Sequence, residues 1–124
     1  MQETINDALR DTARRRGDRA ARYGGEEMAV ILPNTTASDA VTIAQELRKR
    51  VRALDIPHVG SEKGVVTASI GVAVFHSAEK QFTPAQFVGL ADAALYDAKA
   101  AGRDTVRGGH REAPEHDRVK MGGH

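Results

Sequence analysis

No cysteine occurs anywhere in the 124 residues, which excludes a disulfide framework and a thiolate metal site. A reducing compartment is allowed, and the cytoplasm is the expected location. Long apolar runs are missing as well. The amino terminus "MQETINDALRDTARRRGD" has no apolar stretch of the kind a secretory leader carries, and nowhere does the chain approach the about 18 consecutive apolar residues of a membrane span. An excess of either charge is also lacking: 18 Lys and Arg stand against 17 Asp and Glu, a formal net charge of +1. Nucleic acid and anionic membranes gain no global attraction from that balance, so any affinity for phosphate has to be local.

What remains is a chain with 40% hydrophobic residues, enough for one core. Ile5, Ala8, Leu9, Thr12 and Ala13 recur at helical spacing, and Arg14, Arg15, Arg16 and Gly17 close that helix with charges that suit its dipole. Arg19–Tyr23 and Met28–Leu32 read as two short strands of a hairpin around Gly24, Gly25, Glu26 and Glu27, with Pro33 and Asn34 ending the second. Thr36 and Asp39 form a capping pair before Val41, Ala44, Leu47, Val51 and Leu54, the apolar stripe of a long helix whose wet side takes Arg48, Lys49, Arg50 and Arg52. "VVTASIGVAVF", residues 65–75, alternates larger and smaller apolar side chains and predicts an interior strand. Thr83 as cap, Pro84 and Gln86 then open a helix with Phe87, Leu90, Ala91, Ala94, Leu95 and Ala98 inward, which Gly102 ends before a short strand in "DTVRG". Residues 109–124 show no periodicity and are expected to be a disordered tail. The order describes an α/β or α+β layer with helices covering a sheet.

The chemistry concentrates at the hairpin. Gly24 and Gly25 let a backbone turn tightly and approach a ligand, while Glu26 and Glu27 supply hard oxygen ligands suited to Mg²⁺. An acidic, solvated turn explains the same residues. Lys99 and Arg103 stand four apart around the end of the last helix and can bind phosphates, or can compensate the helix dipole. Five histidines, His58 among them, show no ligand spacing and receive no role.

Three separated segments, "RYGGEEMAVILP", "VVTASIGVAVF" and "ADAALYDAKAAGRDTV", together resemble the GGDEF domain of diguanylate cyclases, and the likeness extends through "LRDTARRRGD" to cover residues 5–107. The resemblance implies a nucleotidyl-cyclase-like α+β sandwich over residues 1–108. It implies condensation of two GTP molecules into cyclic di-GMP for signalling, by two protomers that each present one GTP. Gly24, Gly25, Glu26 and Glu27 become the signature turn, with Glu26 the ligand of Mg²⁺ or Mn²⁺ and a participant in activating the 3′-hydroxyl, and Glu27 the weaker assignment of the pair. Lys99 and Arg103 fall on the motif that contacts GTP phosphates. Arg15 and Asp18 reproduce the "RxxD" inhibitory site for cyclic di-GMP, which with Lys99 and Arg103 is expected to border the turn.

The sequence departs from the family at two places. Met28 stands where the signature usually has Phe, an apolar replacement able to fill the same space. The family's first strand, with its metal-holding Asp, and the following guanine-reading residues have no counterpart, and regulatory domains precede that segment in the family. That strand is central in the resembled fold, so the expectation is unpaired backbone beside it and negligible cyclase activity from these residues alone. The alternative function is a catalytically dead remnant that binds cyclic di-GMP or serves as a dimerisation module.

Overall fold

The computed structural model describes residues 3–60, 64–75 and 84–108. Helix α1 spans Ile5–Thr12, strands β1 and β2 span Arg19–Arg22 and Glu27–Pro33, and helix α2 spans Ala37–Ala53. Strand β3 (Ser69–Phe75), helix α3 (Pro84–Ala100) and strand β4 (Thr105–Gly108) complete the order. The four strands form one sheet in the order β1-β2-β3-β4, antiparallel at its first junction and parallel at the other two. This is the expected mixed α/β layer. Thr83, named above as a cap, and the tail from 109 lie outside the described residues.

Side-chain alternation along β2 and β3 divides the core. Met28, Val30, Leu32, Ile70, Val72 and Val74 face α1 and α2, packing on Ala8, Leu9, Ala44, Leu47 and Val51. Ala29, Ile31 and Ala73 face the other way, toward Phe87 and Ala91 of α3. Both faces of the central strands are therefore covered, which is why Met28–Leu32 reads as an unbroken apolar run.

The expectation of unpaired backbone is corrected by the β2–β3 junction. Glu27 through Pro33 pair in parallel register with Ser69 through Phe75, so the two strands satisfy each other along their whole length. Parallel pairing needs a covered crossover, and α2 supplies it.

Capping fixes the helix ends. Asp7 N–H donates to Thr4 Oγ1 at 3.1 Å while Thr4 N–H donates to Asp7 Oδ2 at 3.0 Å, a reciprocal box that starts α1. α1 ends at Thr12, so Arg14, Arg15 and Arg16 lie beyond it, and Arg10 is the basic residue of its last turn. Asp39 N–H donates to Thr36 Oγ1 at 3.0 Å, as expected for α2. α3 ends in a Schellman motif with Gly102 left-handed at φ 112: Arg103 N–H donates to the Ala98 carbonyl at 3.0 Å and Gly102 N–H to the Lys99 carbonyl at 3.3 Å. The motif leaves Lys99 and Arg103 both within reach of the Glu27 carboxylate. Among the described residues, no helix is long and apolar enough to cross a membrane.

Candidate functional site

The hairpin turn is closed by Tyr23 N–H donating to the Glu27 carbonyl at 2.7 Å. Arg22 braces it from outside, reaching Asn6 Oδ1 at 3.0 Å and the Gly25 carbonyl at 3.3 Å. Tyr23 Oη donates to Asp92 Oδ1 at 2.8 Å, which ties the turn to α3 and holds the phenol above its ordinary 10.0. Gly24 and Gly25 are not among the left-handed glycines, so the turn does not need them for their φ. They leave space instead. A Cβ on Gly25 would meet nothing within 4 Å, and one on Gly24 would reach only the Glu27 carboxyl at 3.9 Å.

Alternation sends the two adjacent glutamates to different partners. Glu27 shares the α3-facing side of β2 with Ala29 and Ile31, and its carboxylate lies between the two cations at the end of that helix. Lys99 Nζ is 3.3 Å from Oε1, and Arg103 Nη1 is 3.4 Å from Oε2. The hydrogen bond from Lys99, helped by the charges of Lys99 and Arg103, holds the Glu27 carboxyl below its ordinary 4.5 against a smaller desolvation effect.

Glu26 is turned away from this cluster. Its carbonyl accepts from Ser69 N–H at 2.8 Å, and its Oε2 stands 3.3 Å from His58 Nδ1. His58 thus joins the site, although its spacing along the chain carried no signal. A loop folded back by Val66 N–H to Ile56 carbonyl and His58 N–H to Gly64 carbonyl bonds places it there. A hard, partly exposed Glu26 carboxylate fits Mg²⁺ by donor type. Among the described residues, no cluster of three or more His, Asp or Glu side chains stands ready to hold a metal ion.

Arg15 and Asp18 pair, but away from the turn. Arg15 Nε and Nη2 reach the two Asp18 oxygens at 3.3 and 3.2 Å, and Nη2 also donates to the Pro33 carbonyl at 3.1 Å and to Thr35 Oγ1. Asp18 is buried, and its N–H returns to the Arg15 carbonyl at 3.0 Å. Arg15 bonds the Pro33 carbonyl at the far end of β2, so about 20 Å of that strand separates this pair from Glu27. Asp18 therefore borders a different feature, a groove of about 610 Å³ between α1 and α2 that Arg14, Arg15, Glu46 and Arg50 also line.

Comparisons with known proteins identify the family. The family profile described as "Diguanylate cyclase, GGDEF domain" matches residues 3–105. Diguanylate cyclase A of Treponema denticola is 44% identical over 92 residues, covering 74% of this chain and 24% of that protein. Response regulator PleD of Caulobacter vibrioides is 42% identical over 93 residues, covering 73% and 20%. The chain thus spans a quarter or less of the length of these curated relatives. The GGDEF domain of DgcB from Caulobacter crescentus, solved in complex with c-di-GMP, superposes with a TM-score of 0.58 at 26% identity, over 85% of this chain and 60% of that one.

Proposed function

Since the chain belongs to the diguanylate cyclase GGDEF domain family, we propose that its hairpin and the end of α3 form a GTP-phosphate site serving synthesis of cyclic di-GMP in the cytoplasm. The observation that carries this reading is the meeting of Lys99 and Arg103 at Glu27, across 72 and 76 residues of sequence. Two cations beside an open glycine turn can hold a polyphosphate, Lys99 as a point charge and Arg103 as a fork. Entry of phosphate displaces the Glu27 carboxylate from both.

Glu26 would hold Mg²⁺ or Mn²⁺, which when bound neutralises phosphate charge. Glu26 would also take part in activating an attacking 3′-hydroxyl in this reading, and a second GGDEF protomer would present the other GTP. Gly24 and Gly25 keep the space above the turn clear for the phosphates. The chemistry asks mainly for positioning and charge stabilisation, which these groups can supply.

These 124 residues assayed alone are expected to bind GTP without turnover, because among the described residues no cluster of three or more His, Asp or Glu side chains is gathered to hold the metal ions that phosphoryl transfer uses. Incubation with GTP and Mg²⁺ followed by chromatography checks this. Binding without product agrees; cyclic di-GMP in the eluate contradicts it.

A second reading, a cyclic di-GMP-binding module, is favoured by the Arg15–Asp18 pair at the mouth of the α1–α2 groove. Arg15 is half exposed and can meet guanine or phosphate while Asp18 orients it. Arg15→Ala is expected to weaken cyclic di-GMP binding about tenfold, the value of one charge-assisted contact, as read by calorimetry. Unchanged affinity removes this reading.

A further inference from the structure

Arg103 and Asp104 are consecutive residues with left-handed backbone, φ 65 and 49, and neither is glycine. A side chain there crowds the following carbonyl, and arginine has no local hydrogen bond to offset it. Something outside the turn must hold it.

Asp104 is the anchor. Its side chain is 6% exposed, and its two oxygens accept from different arginines of α2: Arg48 Nη1 to Oδ1 and Arg52 Nη1 to Oδ2, each at 3.1 Å. Arg48 is itself fixed by Gln45 Oε1 at 2.7 Å, so it is not the solvated side chain that its place on the polar face of α2 predicts. The Asp104 N–H donates to Ser69 Oγ at 3.2 Å, and the N–H of the same buried Ser69 holds the Glu26 carbonyl. One chain of contacts therefore runs from α2 through Asp104 and Ser69 to the acidic turn.

We propose that Asp104, held by Arg48 and Arg52, is a positioning residue that fixes the strained turn and aims Arg103 at the polyphosphate position. The inference rests on the reading of Arg103 as a phosphate ligand. Asp104 touches no ligand itself; it acts through the peptide it shares with Arg103. A carboxylate between two guanidinium groups is costly to release, which makes it a firm point for a backbone that would otherwise relax.

The test combines ligand affinity with the order of Arg103. Inorganic triphosphate is titrated calorimetrically into the wild-type chain, Arg103→Ala, Asp104→Ala and the double variant, and the ¹⁵N–¹H heteronuclear NOE of Arg103 Nε is measured without ligand. The expected result is a mobile Arg103 in Asp104→Ala, about tenfold weaker binding, and a double variant no weaker than Arg103→Ala. Additive losses, or an Arg103 equally ordered in Asp104→Ala, overturn the proposal. If Arg103 loosens while Arg103→Ala keeps full triphosphate affinity, the positioning role stands and the phosphate reading falls. Should Asp104→Ala fail to fold, Arg52→Ala removes one half-exposed donor and decides the question by the same NOE: a lowered value supports the anchor, an unchanged value refutes it.

Discussion

Alanine in place of Gly71 is expected to cost about 3 kcal/mol or more of folding stability, at the upper end of what overpacking causes. Gly71 lies on β3 where the strand meets α3, and an added Cβ would collide with the Ala91 carbonyl and with the Leu95 N–H and Cα. These are backbone atoms, so no rotamer change relieves the contact. Helix and sheet must separate, which loosens Phe87 and Ala91 from Ala73 and carries Lys99 and Arg103 away from the hairpin. Gly71 is not left-handed, so the loss comes from space and not from φ. Urea denaturation measures it: a loss below about 1 kcal/mol would mean that α3 is not seated this closely.

Removing both cations should have the largest effect on ligand binding. Lys99→Ala with Arg103→Ala is expected to weaken GTP about 100-fold, roughly tenfold for each charge-assisted contact at these partly exposed positions. The wild-type affinity should fall with salt, and that dependence should flatten in the double variant. Glu27 supplies a readout that needs no ligand. Its folded value lies below the ordinary 4.5, so the stability it draws from Lys99 and Arg103 is complete above 4.5 and is lost as pH falls through the lower folded value. The double variant should lack that acid step, which acid titration of folding stability with a carboxyl NMR probe on Glu27 detects.

The elements were legible wherever local chemistry decides them. The apolar run of β2, the Thr36 cap of α2 and the Gly102 stop of α3 each follow from residues adjacent in sequence, and the structure places all three as expected. The direct β2–β3 pairing was not legible, because parallel register is settled across a long crossover and not by neighbouring residues. The Thr4–Asp7 box was available from spacing alone and was missed.

In the site, Lys99, Arg103 and Glu27 were each legible by residue type, and their meeting needed the fold. The parting of Glu26 from Glu27 follows from strand alternation applied one residue before the strand begins. Asp18 misled because six residues of sequence looked like nearness. Four of the residues between Asp18 and the turn form β1, whose extended backbone carries Asp18 away from the turn. His58 and Asp104 carried no local signal: each gains its meaning from a partner brought by tertiary structure, Glu26 for one and the α2 arginines for the other.

The central claim is that the acidic turn and the basic end of α3 form one nucleotide-phosphate site. Titrating GTP with Mg²⁺ into the ¹⁵N-labelled chain and mapping the amide shift changes tests it most directly. The largest changes are expected at residues 24–27 and 99–104, saturating together with one affinity. Saturable changes centred on Arg15 and Asp18, or no saturable change at the turn, would contradict it.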